Sequence, residues 1–314
     1  MKFSKVSMLE VSSAQAGQRL DNFLVKLLKG VPKSRIYRIV RRGEVRVNRK
    51  RCKPDYKLQA GDHLRLPPIR VDDKQTPRLL PALINPARYA VYEDDSLIVL
   101  NKPSGLAVHG GSGVDAGIIE AWRKCYPENT AVELVHRIDR QTSGCLMLAK
   151  SRDALLRLQE QLAVSDENRM GKTYIALVHG HWPRTARRLQ HNLKRGQLSS
   201  GERLMQISEQ GNTAVSDFNV LENFQNSSLV KVQILTGRTH QVRAQAAAEG
   251  HPLAGDDKYG DREFNHAMRK IGLNRLFLHA RALDFIHPKT KKKISVSASL
   301  PTDLVHVLEG LRHG

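Results

Sequence analysis

The stretch VELVHRIDRQTSGCLMLA, residues 132–149, decides how this chain is read. Val132 to Val135 and Cys145 to Ala149 are short apolar runs of the kind that form buried strands. Between them, His136 to Gly144 packs together an acid, two arginines, a histidine and two hydroxyls. A polar cluster so placed sits on a loop at a strand end, where a rigid sheet displays catalytic groups. The plain alternative is a surface turn around Asp139 and Arg140, and this segment alone leaves both readings open.

Three other segments break pattern in the same way, with polar, Gly-rich clusters after strand-like runs. They are Asn101 to Gly105 with Val108-His109, Leu235 to Gln241, and Gly255 to Gly260. A lone carboxylate can act as base or nucleophile, and either role needs it charged. A buried carboxylate stays charged only with a cation beside it. Arg238 sits in a Thr-Gly-Arg-Thr turn leading into a helical pattern, a rigid way to present a guanidinium; if it pairs with Asp139 it would keep that carboxylate charged, a pairing the residues alone leave open. The run His109-Gly110-Gly111-Ser112-Gly113 lacks the ending of a phosphate-binding P-loop and the spacing of a dinucleotide fingerprint. It reads as a flexible loop near an RNA groove. No Gly-x-Ser-x-Gly elbow is present, which excludes that hydrolase reading.

Charge narrows the partner. The 314 residues carry a net charge of +20, and residues 1–80 hold 20 Lys/Arg against 7 Asp/Glu. Lys33 to Lys57 alone has 11 basic residues with two acids, Glu44 and Asp55. Such density repels itself unless something neutralises it, and phosphate is the usual counter-charge. Lys33, Arg41, Arg42, Arg46, Lys50 and Arg51 are therefore candidate nucleic-acid contacts. No apolar run approaches the roughly 18 residues of a membrane span, and no signal peptide opens the chain. Cys52, Cys125 and Cys145 are scattered, without a CxxC pair, which fits a reducing cytoplasm and neither a disulfide framework nor a zinc knuckle. His179, His181 and His251 lack a carboxylate or cysteine at ligand spacing, so no metal is expected. Oligomeric state is not legible, and a monomer is the default expectation.

Leu20, Phe23, Leu24, Leu27 and Leu28 fit one helical face, as do Ile36, Ile39 and Val40, with Gly43 as a C-cap. Val45 and Val47, then Leu64 and Leu66, alternate as strands. Five prolines punctuate Pro67 to Arg88, a linker pattern whose last part, 81–88, separates a small domain at 18–80 from a large one at 89–314. In the large domain strands are expected at Tyr89–Tyr92, Leu97–Leu100, Leu146–Ala149, Tyr174–Val178, Leu229–Leu235 and Phe277–His279. Helices are expected at Ala154–Leu162, Gln241–Ala248 and Leu304–Leu311. Without regular βαβ alternation, this is an α+β fold with a mixed, largely antiparallel sheet.

His136 to Gly144 resembles the His-Arg-Leu-Asp-x-x-Thr-Ser-Gly signature of RluA-type pseudouridine synthases, with Ile138 as a volume-conserving change. Lys102 to His109, Lys172-Thr173-Tyr174 and Thr236 to Arg243 resemble three further segments of that family, and residues 18–80 resemble an S4 RNA-binding domain. One departure is Ala244-Gln245, where relatives often carry a histidine. The resemblance implies isomerisation of uridine to pseudouridine in 23S ribosomal RNA of the large subunit, with no cofactor. It also implies Asp139 as the catalytic carboxylate, Arg238 as its partner and Tyr174 as the ring that stacks on the target base. His136, Arg137, Arg140 and Lys102 are expected to shape the loops or contact phosphate. Two other readings stay in view: a catalytically idle RNA-binding or ribosome-assembly factor on the same fold, and the same enzyme aimed at transfer RNA.

Overall fold

The computed structural model describes residues 6–12, 15–28, 31, 33–69, 85–110, 116–127, 131–183, 187–197 and 203–313. The chain divides into two units, 1–78 and 79–314. In the first, four strands, β1 (Ser7–Glu10), β2 (Arg46–Val47), β3 (Lys50–Arg51) and β4 (His63–Leu66), form an antiparallel sheet in the order β1-β4-β2-β3. Helices α1 (Leu20–Leu27) and α2 (Lys33–Arg41) bury Leu20, Phe23, Leu24, Ile36, Ile39 and Val40 in one cluster with Val47, Leu64 and Leu66 of the strands. Gly43 ends α2 at φ 71°, its N–H bonded to the Val40 carbonyl at 3.0 Å, the cap its position predicts. Arg41, Arg42, Arg46, Lys50 and Arg51 are exposed, while the side chain of Lys33 lies outside the described set.

The second unit opens with a 3-10 turn at Pro86–Tyr89, inside the segment expected to be linker; residues 70–84 of that segment lie outside the described set. It continues with β5 (Ala90–Glu93), β6 (Leu97–Lys102), α3 (Ile118–Cys125), β7 (Glu133–Leu134), β8 (Ser143–Ala149), α4 (Arg152–Ala163) and β9 (Gly171–His179). Next come β10 (Arg187–Gln197), β11 (Arg203–Ile207), β12 (Asn212–Phe224), β13 (Ser227–Ile234), α5 (Gln241–Ala248) and α6 (Arg262–Lys270). The chain closes with β14 (Leu278–Ile286), β15 (Lys293–Ser297) and α7 (Thr302–His313). The strands form one sheet in the order β11-β10-β12-β13-β9-β14-β8-β6-β5, with β15 beside β14 and β7 beside β8. Every pairing is antiparallel except β8 with β14, so the sheet is mixed as expected.

Alternation along β9 shows why this sheet is covered on both faces. Tyr174, Ala176 and Val178 join one core cluster with α4 residues Leu155 and Leu158 and α5 residues Val242 and Ala246. Leu177 points the other way, into a second cluster with Phe264 and Met268 of α6 and Leu304 and Leu308 of α7. All seven residues of β8 are buried. At its start Gly144 adopts φ 105°, and a β-carbon there would stand 2.2 Å from the Ala280 carbonyl oxygen. Glycine is required for β14 to run parallel to β8 directly after the Asp139 loop. Among the described residues no helix is long and apolar enough to cross a membrane.

Candidate active site

The loop carrying Asp139, between β7 and β8, is fastened on both sides. Thr142 N–H bonds to the Asp139 carbonyl at 3.1 Å, and Gly105 N–H bonds to the Arg140 carbonyl at 2.8 Å. Ser104 Oγ donates to the Gln141 carbonyl at 2.6 Å, and Arg140 Nε donates to the Gly105 carbonyl at 2.9 Å. Lys102 supplies the central fastening. Its Nζ donates to the carbonyls of Pro103, Leu106 and Arg140 at 2.9, 2.9 and 3.1 Å, and the side chain is fully buried. Burial, with Arg275 nearby, pushes its pKa down to about 7 against the pull of Asp139.

Of the two roles expected of Lys102, these contacts match the shaping of the loop. Lys102→Met is expected to lower stability by about 3 kcal/mol, because three buried carbonyls lose their donor. Urea unfolding measures this; a midpoint equal to that of the unaltered protein would show that the ammonium does not hold the loop. His136 also matches the loop-shaping role. It lines the cleft, but its Nε2 accepts the Met147 N–H at 3.2 Å, and burial drives its pKa down to about 4. It is a neutral spacer and makes no phosphate cation. Arg137 is exposed at the cleft.

The arginine beside Asp139 is Arg243, five positions beyond the one expected. Arg243 Nη1 lies 3.5 Å from Asp139 Oδ2. Arg238 is exposed, and its Nε donates to the Thr213 carbonyl at 3.1 Å; it lines the same cleft without pairing with Asp139. The turn explains the difference. Gln241 Oε1 accepts from Thr236 Oγ1 at 2.7 Å and from Arg238 N–H at 3.0 Å, which ties the turn onto the start of α5. His240 enters the helix in the left-handed region at φ 51°. Arg243 then falls on the buried side of α5.

Arg243 is held by a bidentate pair with Asp256, both bonds 2.7 Å, with the two residues 3% and 1% exposed. Burial opposes the charge on Asp256. The two arginine bonds and the backbone N–H groups of Lys258 and Tyr259 outweigh it, and its carboxyl stays below the usual range. The Gly255–Gly260 cluster therefore serves as the clamp of this arginine, whose guanidinium also lies 5.1 Å from the centre of the Tyr259 ring. Tyr259 hydroxyl accepts from Met205 N–H at 2.7 Å and meets His240 Nδ1 at 2.9 Å. His240 Nε2 then faces Asp139 Oδ2 at 3.8 Å. Burial lowers the His240 pKa despite Asp139, so the imidazole is neutral and their contact is no full ion pair.

Tyr174, on β9, completes the site. It is 8% exposed, lines the cleft, and has its hydroxyl pKa raised by burial and by Asp139, which keeps it a neutral phenol. The cleft has a volume of about 550 Å³ and brings Asp139, Tyr174, Arg243, His240, Arg137 and Arg238 together. A carboxylate backed by a clamped guanidinium, facing a neutral aromatic ring, suits proton transfer or nucleophilic attack on a planar base. Arg243 and Asp256 were the residues the sequence reading missed, although both lie in segments it singled out.

A family model for RNA pseudouridylate synthases matches residues 96–248, and one for the S4 domain matches residues 18–64. The chain belongs to the pseudouridine synthase family, with an S4 domain ahead of the catalytic unit. It is 50% identical to a Haemophilus influenzae protein named ribosomal large subunit pseudouridine synthase C, over 98% of this chain and 96% of that one. The protein of the same name from Escherichia coli K12 is 49% identical, over 98% and 97%. Among solved structures, human RNA pseudouridylate synthase domain containing 4 matches with a TM-score of 0.59 and 26% identity, over 72% of this chain and 94% of that one.

Proposed function

We propose that this chain isomerises uridine to pseudouridine in 23S ribosomal RNA of the large subunit, acting in the cytoplasm, with Asp139 as the catalytic carboxylate. Arg243 is its buried cationic partner, and the target base stacks on Tyr174. The observation that carries this reading is the chain Asp139–Arg243–Asp256 at the edge of a cleft lined by Tyr174. The names of the half-identical relatives support the ribosomal target. The reaction breaks the C1′–N1 bond, turns the uracil and joins C5 to C1′, so atoms are conserved and nothing is oxidised. Attack on the base, attack at C1′ and removal of a ribose proton all begin with a charged Asp139 oxygen in the cleft. A uridine in folded RNA must first leave its stack, at a cost of a few kcal/mol, which a ring and a basic surface can offset.

The test is a map of pseudouridines in 23S ribosomal RNA from cells with and without this protein. Sites that vanish on deletion and return with the wild-type gene support the target. An unchanged ribosomal map with sites lost from transfer RNA would redirect it. The S4 unit has its own signature. Changing Arg41, Arg42, Arg46, Lys50 and Arg51 to Gln is expected to weaken RNA binding and to reduce the slope of log affinity against log salt by about 3, if most meet phosphate. Filter binding across salt concentrations measures this, and an unchanged slope would remove that face as the anchor.

A further inference from the structure

One polar group in the cleft has no part in the chemistry above. Lys172 lies two residues before Tyr174 on β9, so both side chains leave the same face of the strand, about 7 Å apart along it. It is 8% exposed. Lys102, the other buried lysine, has three carbonyl acceptors. Lys172 has no hydrogen-bond acceptor and no carboxylate partner among the described residues. Gly237 lies beside it, a β-carbon there standing 3.6 Å from Nζ, at ordinary contact distance. A buried cation without a counter-charge is costly, and its cost is relieved when negative charge arrives in the cleft.

The position decides which negative charge. The exposed Arg137 and Arg238 line the cleft where phosphates can reach them. Lys172 is buried beside the ring on which the base is proposed to stack, and this inference rests on that reading. We propose that Lys172 is a further catalytic residue, whose ammonium donates a hydrogen bond to a carbonyl oxygen of the target uracil and stabilises the charge that develops there. When the C1′–N1 bond opens, its electron pair goes to N1 and delocalises over O2 and O4. After the ring turns, C5 supplies the pair that forms the C1′–C5 bond. The C5 proton then leaves and N1 ends protonated, so no electron or proton is gained overall. If Asp139 adds to C6 of the base first, the electron pair of the C5=C6 bond delocalises onto carbonyl O4, the same kind of charge. Lys172 keeps its proton throughout.

Burial, with Arg169 nearby, pushes the Lys172 pKa down to about 8. His136 on the Asp139 loop lies near enough to feel its charge, and His240 in the turn before α5 lines the same cleft; burial lowers the pKa of both. Arg137 and Arg238 line the same cleft, Arg169 lies near it, and the neighbouring carboxylates are Asp139 in the cleft and Asp284 on β14. The neighbouring Tyr174 is pushed upward. Loss of the Lys172 proton therefore shapes the alkaline limb of activity. The limb falls as pH rises through about 8.

The experiment uses the full chain and transcribed 23S ribosomal RNA, with single-turnover rates measured at saturating and subsaturating RNA. Lys172→Met is expected to lower the saturating rate about 10²-fold, the scale for removing one donor to a developing oxyanion, while RNA affinity stays within about threefold. Lys172→Arg is expected to recover at least a tenth of the rate and to move the alkaline limb of the subsaturating rate to higher pH, which a purely structural role would not do. Lys102, with its pKa of about 7, also titrates in this range, but it is present in the wild type and in both variants, so only the shift between them reports Lys172. A Lys172→Met rate within threefold of wild type overturns the proposal, and so does a loss confined to RNA affinity. Wild type without turnover on this RNA overturns the ribosomal target and the proposal with it.

Discussion

Asp139→Asn protein is expected to form pseudouridine at least about 10⁴-fold more slowly than wild type, the upper end of what one positioned acid–base group contributes. The side chain has little structural work to lose. It is 20% exposed, and its polar contacts are Arg243 at 3.5 Å and His240 at 3.8 Å. The loop itself is held through backbone groups and through the side chains of Lys102, Ser104 and Arg140, none of which changes. The amide has the shape of the carboxyl but can neither attack nor take a proton. RNA affinity is expected to stay within a few fold, because the exposed S4 arginines and the cleft arginines remain. Tritium release from labelled uridine reports the rate, and filter binding reports the affinity. Affinity lost in step with rate would make Asp139 structural. Unimpaired turnover would move the chemistry to another residue.

The parts legible in the sequence were those where burial and chemistry alternate locally. β8 was readable because all seven of its residues are buried, and the polar run before it was readable by contrast. Gly43 was readable as a cap because its conformation depends on its nearest neighbours. β10, β11 and β12 left no clear trace. In β12 the buried Ala214, Ser216 and Phe218 alternate with Val215 and Asp217, and two of those five are polar, so the strand carries no continuous apolar signal. Helix α5 forms where its pattern predicted, at Gln241–Ala248, yet it buries Gln241, Arg243 and Gln245. An amphipathic pattern would have put such residues outside. The partner of Asp139 was misassigned for the same reason. Arg238 stands in a turn that looks built to present a guanidinium, whereas Arg243 is recruited by Asp256, 13 residues on, and meets Asp139 across 104. That choice is made by tertiary packing, and no local spacing records it.

Substitution at Arg243 is expected to damage both stability and catalysis, and a second change separates the two. Arg243→Met leaves Asp256 as a buried carboxylate whose remaining donors are the Lys258 and Tyr259 N–H groups. Breaking a buried ion pair this way costs about 3 to 5 kcal/mol, and the two surviving bonds place the expectation near the lower value. The loss has a pH signature. In the wild type the Asp256 carboxyl lies below its ordinary value, so the stability it contributes is present above about pH 4 and fades as pH falls through its lowered pKa. Without the arginine the buried carboxyl prefers its proton, and the gap between variant and wild type narrows toward acid pH. Adding Asp256→Asn removes the stranded charge while keeping an oxygen for the two N–H groups. The double variant is expected to regain about 2 kcal/mol of the loss and none of the activity. Asp139 still lacks the cation beside it. Arg238→Met is the comparison that decides between the two arginines. That side chain is exposed and bonds one carbonyl, so stability should hold within about 0.5 kcal/mol. Any effect on turnover should appear in RNA affinity. Urea unfolding and single-turnover rates at saturating RNA separate the cases, and a saturating rate that falls as far for Arg238→Met as for Arg243→Met would return the catalytic pairing to Arg238.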